Sequence, residues 1–175
     1  MTIDWQTKTF QELNTDELYD ILKLRIDVFV VEQTCFYPDL DDIDRHKDTI
    51  HLFCYTEGKI AGYLRILAKG QSYDEYIAIG RVIIAMHERG TGLGHKLMAM
   101  GLTVCDQYFL EQRVKISAQE HLENFYNRHG FERVSDMYLE DNIPHTGTTV
   151  SYQRLPCSSE PRFGRFERHF QLSHW

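Results

Sequence analysis

Hydrophobic and polar positions along this chain change period several times, and each change marks an element. "TIDWQTKTF" alternates at the start, which predicts a strand. "NTDELYDILKLRIDVFVVEQ" then offers Asn14 or Thr15 as an N-cap, with acidic residues in the first turn. Leu18, Ile21, Leu22, Ile26 and Phe29 keep the three-and-four spacing of one helical face, which only Arg25 interrupts. "TCFYPDLDDIDRHKD" is polar, contains Pro38 and reads as a loop. "IHLFCYT" and "IAGYLRIL", separated by "EGK", predict a hairpin from Ile50 to Leu67.

After a loop from Lys69 to Glu75, "YIAIGRVIIAM" is rich in β-branched residues and predicts a buried strand. A glycine-rich turn follows in "ERGTGLGHKLM". Leu93, Leu97, Met100, Val104 and Tyr108 then recur helically. "VKISA" is a short strand, and "QEHLENFYNRHGF" a helix closed by Gly130. "FERVSDMYL" and "GTTVSYQRL" alternate as a final antiparallel pair. The order predicts a mixed sheet with helices, in the α/β (α+β) class, and no internal repeat is visible. Residues 1–155 read as the domain and 156–175 as a C-terminal extension. In that extension Phe163, Phe166 and Phe170 interleave with Arg162, Arg165 and Arg168. It is either a mobile tail or a short amphipathic helix that docks on the domain or a partner.

Composition narrows the function classes. A formal net charge of −7 over 175 residues opposes nucleic-acid binding, whose footprint is a basic stripe, and suits a cationic acceptor such as an amine. Cys35, Cys54, Cys105 and Cys157 form no CxxC pair, which favours reduced thiols and a cytoplasmic protein. No apolar run approaches the roughly 18–20 residues that span a bilayer. The acidic loop Asp39, Asp41, Asp42 and Asp44 is either a solvated loop or an attractor for a cationic substrate. It fails as a calcium loop because Ile43 holds the fifth position and no glycine follows. His46 and His51 lack partners at zinc spacing, so no metal is expected.

The glycine turn carries the most specific chemistry. A Walker loop needs lysine after its last glycine, and here His95 follows Gly94. No frame from Gly90 or Gly92 satisfies GxGxxG. "RGTGLG", Arg89 to Gly94, does fit [RQ]xxGx[GA]. In that pattern a strand turns sharply into a helix whose unpaired N–H groups and positive dipole end suit a pyrophosphate.

The flanking residues extend this signal. "IGRVIIAMHERGTGLGHKLM" followed by "VKISAQEHLENFYNRHGF" resembles the GNAT superfamily of acetyl-CoA-dependent N-acetyltransferases. "FVVEQTCFYPDLDDIDRHKDTIHLF" further resembles its ElaA branch. The resemblance spans about Ile3 to Leu155. It implies a GNAT fold with a central sheet of about six to seven strands, splayed after a bulge to admit the thioester and flanked by about four helices. It also implies that the backbone of Val82, Ile83 and Ile84 runs beside the pantetheine arm of acetyl-CoA. The N–H groups of Arg89, Gly90, Thr91, Gly92, Leu93, Gly94 and His95 would hold the pyrophosphate, and Arg89 would add a charged contact. Asn124 would contact the pantetheine, and Tyr126 would lie near the sulfur as general acid. Many relatives are dimers, so a homodimer is a possible assembly.

Amine acylation sets two proton problems. An alkyl ammonium with a pKa of about 10.4 is only ~0.04% neutral at pH 7, a cost of about 4.6 kcal/mol. A thiolate near ~8.5 takes a proton from a tyrosine near ~10 uphill by roughly 2 kcal/mol. Glu32, His51, Glu75, Glu120 and His145 are base candidates by chemistry alone. Glu32, Glu75 and His145 are the substrate-side candidates, with His145 expected in a turn, "DNIPHTG". The expected activity is direct transfer of an acyl group to a primary amine of a small molecule or protein. The alternative is a non-catalytic acyl-CoA-binding or partner-binding module.

Overall fold

The computed structural model describes residues 2–109, 112–140 and 143–150; the C-terminal extension, Cys157 and the sequence after Val150 lie outside the described residues. Among the described residues eight strands form one mixed sheet, with β1 (Ile3–Thr9), β2 (Ile50–Thr56), β3 (Lys59–Leu67), β4 (Ile77–Ile84), β5 (Val114–Gln119), β6 (Glu132–Arg133), β7 (Tyr138–Glu140) and β8 (Ile143–Val150). Their order is β1-β2-β3-β4-β5-β8-β6, with β7 also paired to β8. The count exceeds the expected six to seven because "FERVSDMYL" divides into β6 and β7, both antiparallel to β8. Among the described residues three α-helices pack on the sheet, α1 (Thr15–Arg25), α2 (Leu93–Tyr108) and α3 (Glu123–Asn127).

Local signals explain these helices. The Asn14 side chain accepts from the Glu17 N–H at 2.9 Å while Glu17 returns to the Asn14 N–H at 3.0 Å, a reciprocal capping box. Beyond Arg25 the same apolar run continues as a π-helical segment, Ile26–Glu32, which the spacing did not foretell. Gly130, at φ 80°, ends the turn after α3 in the left-handed conformation that closes helices.

The sheet separates two cores. On one face α2 packs Leu97, Met98 and Val104 against Leu52, Leu64, Ile79 and Ile116. The approach is close: a Cβ on Gly101 would lie 2.8 Å from Leu64 Cδ2, so a larger residue there would have to push the Leu64 side chain aside. On the other face α1 places Ile21, Leu24 and Val28 over Phe53, Tyr63 and Ile83.

Two irregularities in β4 shape everything functional. Opposite β3, Tyr63 pairs with Ile83 but Arg65 pairs with Gly80, so β4 carries one extra residue. The bulge centres on Arg81, a non-glycine residue at φ 55°. On its other edge β4 runs parallel to β5 for two pairs only, Ile77 with Val114 and Ala78 with Lys115. Past them the strands part.

The acidic loop proves to be neither solvated nor free to attract a cation, apart from Asp42. Arg25, the intruder on the α1 stripe, is fully buried and bonds Asp39 Oδ2 through Nε at 2.7 Å and Asp44 Oδ1 through Nη1 at 2.9 Å. Arg65 Nη1 meets Asp41 at 2.7 Å and Asp44 at 2.8 Å, and Arg81 Nε meets Asp39 Oδ1 at 2.6 Å. Three guanidinium groups thus face three carboxylates. Burial pushes the Asp39 and Asp41 carboxyls up, but the hydrogen bonds and charges of the arginines outweigh it and hold both below the ordinary carboxylate range.

His51 closes the network. Its Nε2 lies 3.0 Å from the Asp44 carbonyl oxygen, an acceptor only, so Nε2 carries the proton. Nδ1 therefore accepts from the Tyr63 hydroxyl at 2.9 Å. Burial lowers the His51 pKa and keeps the ring neutral.

Removing one member of this network leaves buried charge uncompensated. Arg25→Met should lower the unfolding free energy by about 3–5 kcal/mol, measured by urea denaturation. His51 adds a pH dependence whose sign follows from its lowered pKa. The unfolded chain takes up a proton near about 6.5, the folded chain only at lower pH, so stability is lost as pH falls below about 6.5. In His51→Gln the slope of unfolding free energy against pH between about 6.5 and 5 should shrink. An unchanged slope would show that His51 titrates alike in both states.

Candidate active site

Where β4 and β5 part, a cleft of about 360 Å³ opens through the sheet. Its floor is strand: Ile79, Arg81 and Val82 from β4, and Ile116, Ser117 and Gln119 from β5. Phe29 and Tyr37 wall it on the α1 side, Leu122 and Tyr126 on the α3 side, and His145 enters from β8. No ladder pairs β4 with β5 past Ala78 and Lys115 among the described residues, which leaves the β5-facing edge of Ile79–Ile84 open. Such an edge is a template for an extended ligand whose amides mimic a strand.

At the far end of that edge the chain enters the glycine turn. Gly90 at φ 77° and Gly92 at φ 84° lie in the left-handed region, and nothing lies within 4 Å of where a Cβ would stand at either. Conformation demands glycine there, and the space beside it is open. The loop is braced from beneath. Glu88 is buried, accepts from Thr56 Oγ1 at 2.7 Å, and its carbonyl accepts from Thr91 Oγ1 at 2.8 Å. The Leu93 N–H reaches Thr91 Oγ1 at 3.4 Å, and the His95 N–H reaches the Gly92 carbonyl at 3.2 Å. The Arg89 N–H donates to the Met86 carbonyl at 3.3 Å, and Gly90, Thr91 and Gly92 are exposed.

The structure sorts the sequence-derived residues. Tyr126 and His145 come together on the cleft lining. Val82 lines it too, Ile83 is buried towards α1, and half-buried Ile84 packs against the α2 core. The Arg89 side chain forms a two-pronged ion pair with Glu32, at 2.6 and 2.8 Å, and also donates to the Ile84 carbonyl at 3.2 Å. The Arg89 hydrogen bond holds the Glu32 carboxyl below its ordinary range, and Glu32 lies outside the cleft lining. Glu75 pairs with Lys69 at 3.1 Å on the surface, and Glu120 and Asn124 are exposed outside the lining. His51 sits in the buried network. His145 stands within β8 rather than in a turn, because the strand begins four residues before "GTTV" and pairs His145 with both Gln119 and Tyr138.

Tyr126 is 5% exposed and sits edge-on to Phe125 and Phe131 at 5.1 and 5.9 Å. Its hydroxyl has no protein hydrogen-bond partner among the described residues, and burial alone pushes its pKa up to about 12. His145 stacks on the Tyr138 ring at 6.3 Å, whose hydroxyl lies 2.6 Å from Ser117 Oγ.

Sequence reasoning missed two features. His129 Nε2 lies 3.0 Å from His95 Nδ1, and both rings pack on Phe125, which ties the first turn of α2 to the end of α3. Burial and then the neighbouring His95 lower the His129 pKa. The other is Arg81, whose side chain lines the cleft from the bulge itself. Its position in a run of apolar residues was the available signal. Among the described residues no cluster of His, Cys, Asp or Glu has the makings of a metal site. None of their helices is long and apolar enough to cross a membrane.

An open strand edge here runs into a glycine turn at a helix start, and residues 26–151 match the acetyltransferase (GNAT) domain, so the chain belongs to that family of N-acyltransferases, which take a CoA-linked donor. Among its relatives is ElaA of Escherichia coli (strain K12), 41% identical over 145 residues, which are 83% of this chain and 94% of that protein. The crystal structure of Escherichia coli ElaA superposes with a TM-score of 0.81 at 38% identity, covering 86% of this chain and 100% of that one. An acyl-CoA N-acyltransferase from Pseudomonas aeruginosa gives 0.82 at 41% identity over the same shares.

The glycine turn yields a direct test. Gly92→Ala places a Cβ on a left-handed residue and should cost about 1–2 kcal/mol of stability. It should also weaken acetyl-CoA binding at least tenfold by calorimetry. Gly92→Asn, which tolerates that conformation, should recover stability but not affinity, because its side chain fills the open space. An Asn variant that binds as wild type would show that the ligand does not use that space.

Proposed function

We propose that the protein transfers an acetyl group from acetyl-CoA to a primary amine of a small molecule or an exposed protein amine, by direct attack in a ternary complex. The observation that carries this reading is the opening between β4 and β5 with Tyr126 and His145 on its lining. Residues 1–155 are the catalytic domain in this reading, and 156–175 an extension to it. The buried Cys35, Cys54 and Cys105 are in no disulfide among the described residues, which suits a reducing cytoplasm.

In this reading the open edge of Val82–Ile84 pairs with the pantetheine, and a β4 N–H polarises the thioester oxygen. The amides of Gly90, Thr91, Gly92 and Gly94 take the pyrophosphate at the positive end of α2. Arg89 contributes through its backbone, with its side chain bracing Glu32. Asn124, exposed on α3, reaches the pantetheine from the opposite wall. Attack of the neutral amine on the thioester carbon forms the C–N bond, and collapse breaks the C–S bond. The amine nitrogen then releases its proton while the departing sulfur gains one. Tyr126 donates a hydrogen bond to that sulfur. His145, on the acceptor side, receives the amine proton directly or through water.

Tyr126 separates chemistry from binding. Because its hydroxyl bonds no protein group, Tyr126→Phe should leave stability and acetyl-CoA affinity within about threefold while lowering turnover by about 10²-fold or more. Thiol release from acetyl-CoA with an amine panel measures both. Equal turnover in the variant removes Tyr126 from the mechanism, and saturable binding without amine-dependent release favours a non-catalytic acyl-CoA-binding module.

A further inference from the structure

Among the described residues, the charged side chains on the cleft lining are two arginines, Arg65 and Arg81. Their partners Asp39, Asp41 and Asp44 are not part of that lining; they bond the guanidinium groups from behind, together with Arg25. An acceptor in the cleft meets guanidinium, hydroxyl and amide groups. That surface suits a neutral or anionic neighbour to the amine and disfavours a second ammonium.

The two arginines differ in what they have left to offer. Arg65 has a side chain 3% exposed, with Nη1 and Nη2 both bonded to carboxylates. Arg81 is 22% exposed. Its Nε is held by Asp39 Oδ1 at 2.6 Å, and its Nη2 leans on the Asp39 carbonyl at 3.4 Å and Asp41 Oδ2 at 3.6 Å. Its Nη1 bonds no acceptor among the described residues. The guanidinium also lies over the Tyr37 ring at 5.3 Å and the Phe29 ring at 6.0 Å, so its orientation is fixed. A cation held by one edge, with donors free on the other, is pre-organised for a carboxylate.

The backbone points the same way. Arg81 occupies φ 55° at the bulge, where glycine or asparagine would sit without strain. A strained residue at a cleft calls for a reason in its side chain. The next residue, Val82, belongs to the edge that opens beside β5, so a group held by Arg81 lies next to the entrance of the slot.

We infer that the acceptor is an amine bearing a carboxylate close to it, as α-amino acids do, and that Arg81 binds this carboxylate. The inference rests on reading the slot as an acyl-transfer site. The carboxylate anchors the acceptor on the β4 bulge and leaves its amine to reach the thioester.

Matched acceptors test it: leucine against leucinamide, and phenylalanine against phenylalaninamide, each with acetyl-CoA and thiol release as readout. The amides carry the less basic amine, so a preference for the acids cannot come from a larger neutral fraction. Wild type should show kcat/KM at least tenfold higher for the acids. Arg81→Gly relieves the backbone strain and leaves Asp39 paired with Arg25, so the fold is retained, which thermal unfolding checks. This variant should lose the preference through a higher KM for the acids, so that the acid-to-amide ratio of kcat/KM falls to within about threefold of one. Arg81→Asn, which also tolerates the left-handed backbone, should behave alike. Amides used as well as acids by wild type would overturn the inference alone, as would equal losses for both in the variants, which would make Arg81 only a brace of the bulge. No thiol release with any amine, despite acetyl-CoA binding, overturns the acyl-transfer reading and the inference with it.

Discussion

A strand inside a sheet normally satisfies its backbone on both edges, and β4 does so on one edge only beyond Ala78. The extra residue at Arg81 turns the strand away from β5, and the polar groups of Ile79–Ile84 are left facing a cleft instead of a neighbour. An arrangement with this cost persists only where something else over-determines it. Here β3 holds the other edge in register, α2 covers one face and α1 the other. The opening is therefore a rigid gap in a well-packed sheet, of a shape that an extended, amide-bearing ligand would complete.

The buried charges belong to the same design. Asp39 bonds Arg25 from the end of α1 and Arg81 from the bulge, so one carboxylate links the helix that covers the sheet to the residue that opens it. Asp44 does the same between Arg25 and Arg65 of β3. A hydrophobic staple could hold these elements together at no smaller strength, since buried ion pairs gain little over well-packed apolar groups. Charge adds direction. A guanidinium bonded through its Nε has a defined remaining edge, which no aliphatic side chain offers.

Much of this was legible in the sequence, and the limits have physical causes. Periodicity placed α1, α2 and the β2–β3 hairpin, because a helical stripe or an alternating strand buries one face and records it. The Asn14 cap was legible for the same local reason. Glycines at Gly90 and Gly92 marked a sharp turn, and the left-handed backbone that the structure shows at both is what calls for them. The network was not legible: Arg25 looked like a flaw in an apolar stripe and Asp39–Asp44 like a solvated loop, because pairing across 14 and 19 residues leaves no local trace. His145 was misplaced into a turn for a related reason. Pro144 beside it reads as a breaker, while β8 tolerates it at the start of the strand. Nor could spacing tell which of several histidines and glutamates faces the cleft, a matter settled by the parting of β4 and β5.

Burial of Tyr126 also changes the proton arithmetic of acyl transfer. With its pKa pushed up to about 12, complete transfer of its proton to a thiolate near ~8.5 is uphill by about 5 kcal/mol, against roughly 2 for an ordinary tyrosine. Full transfer to the sulfur is thus a poor role for this hydroxyl before a ligand fills the cleft. Hydrogen bonding is a good one: the group stays protonated at every physiological pH, has no protein acceptor competing for it, and lies in surroundings that strengthen a bond to developing charge. The overall reaction needs no stored acid either. The nitrogen that forms the amide loses one proton and the sulfur gains one, so a path between the two sides of the slot suffices. Tyr126 lines the cleft from α3 and His145 lines it from β8. In the proposed reaction the parted strands would serve twice, as the berth of the thioester and as the channel through which its sulfur receives the proton the amine gives up.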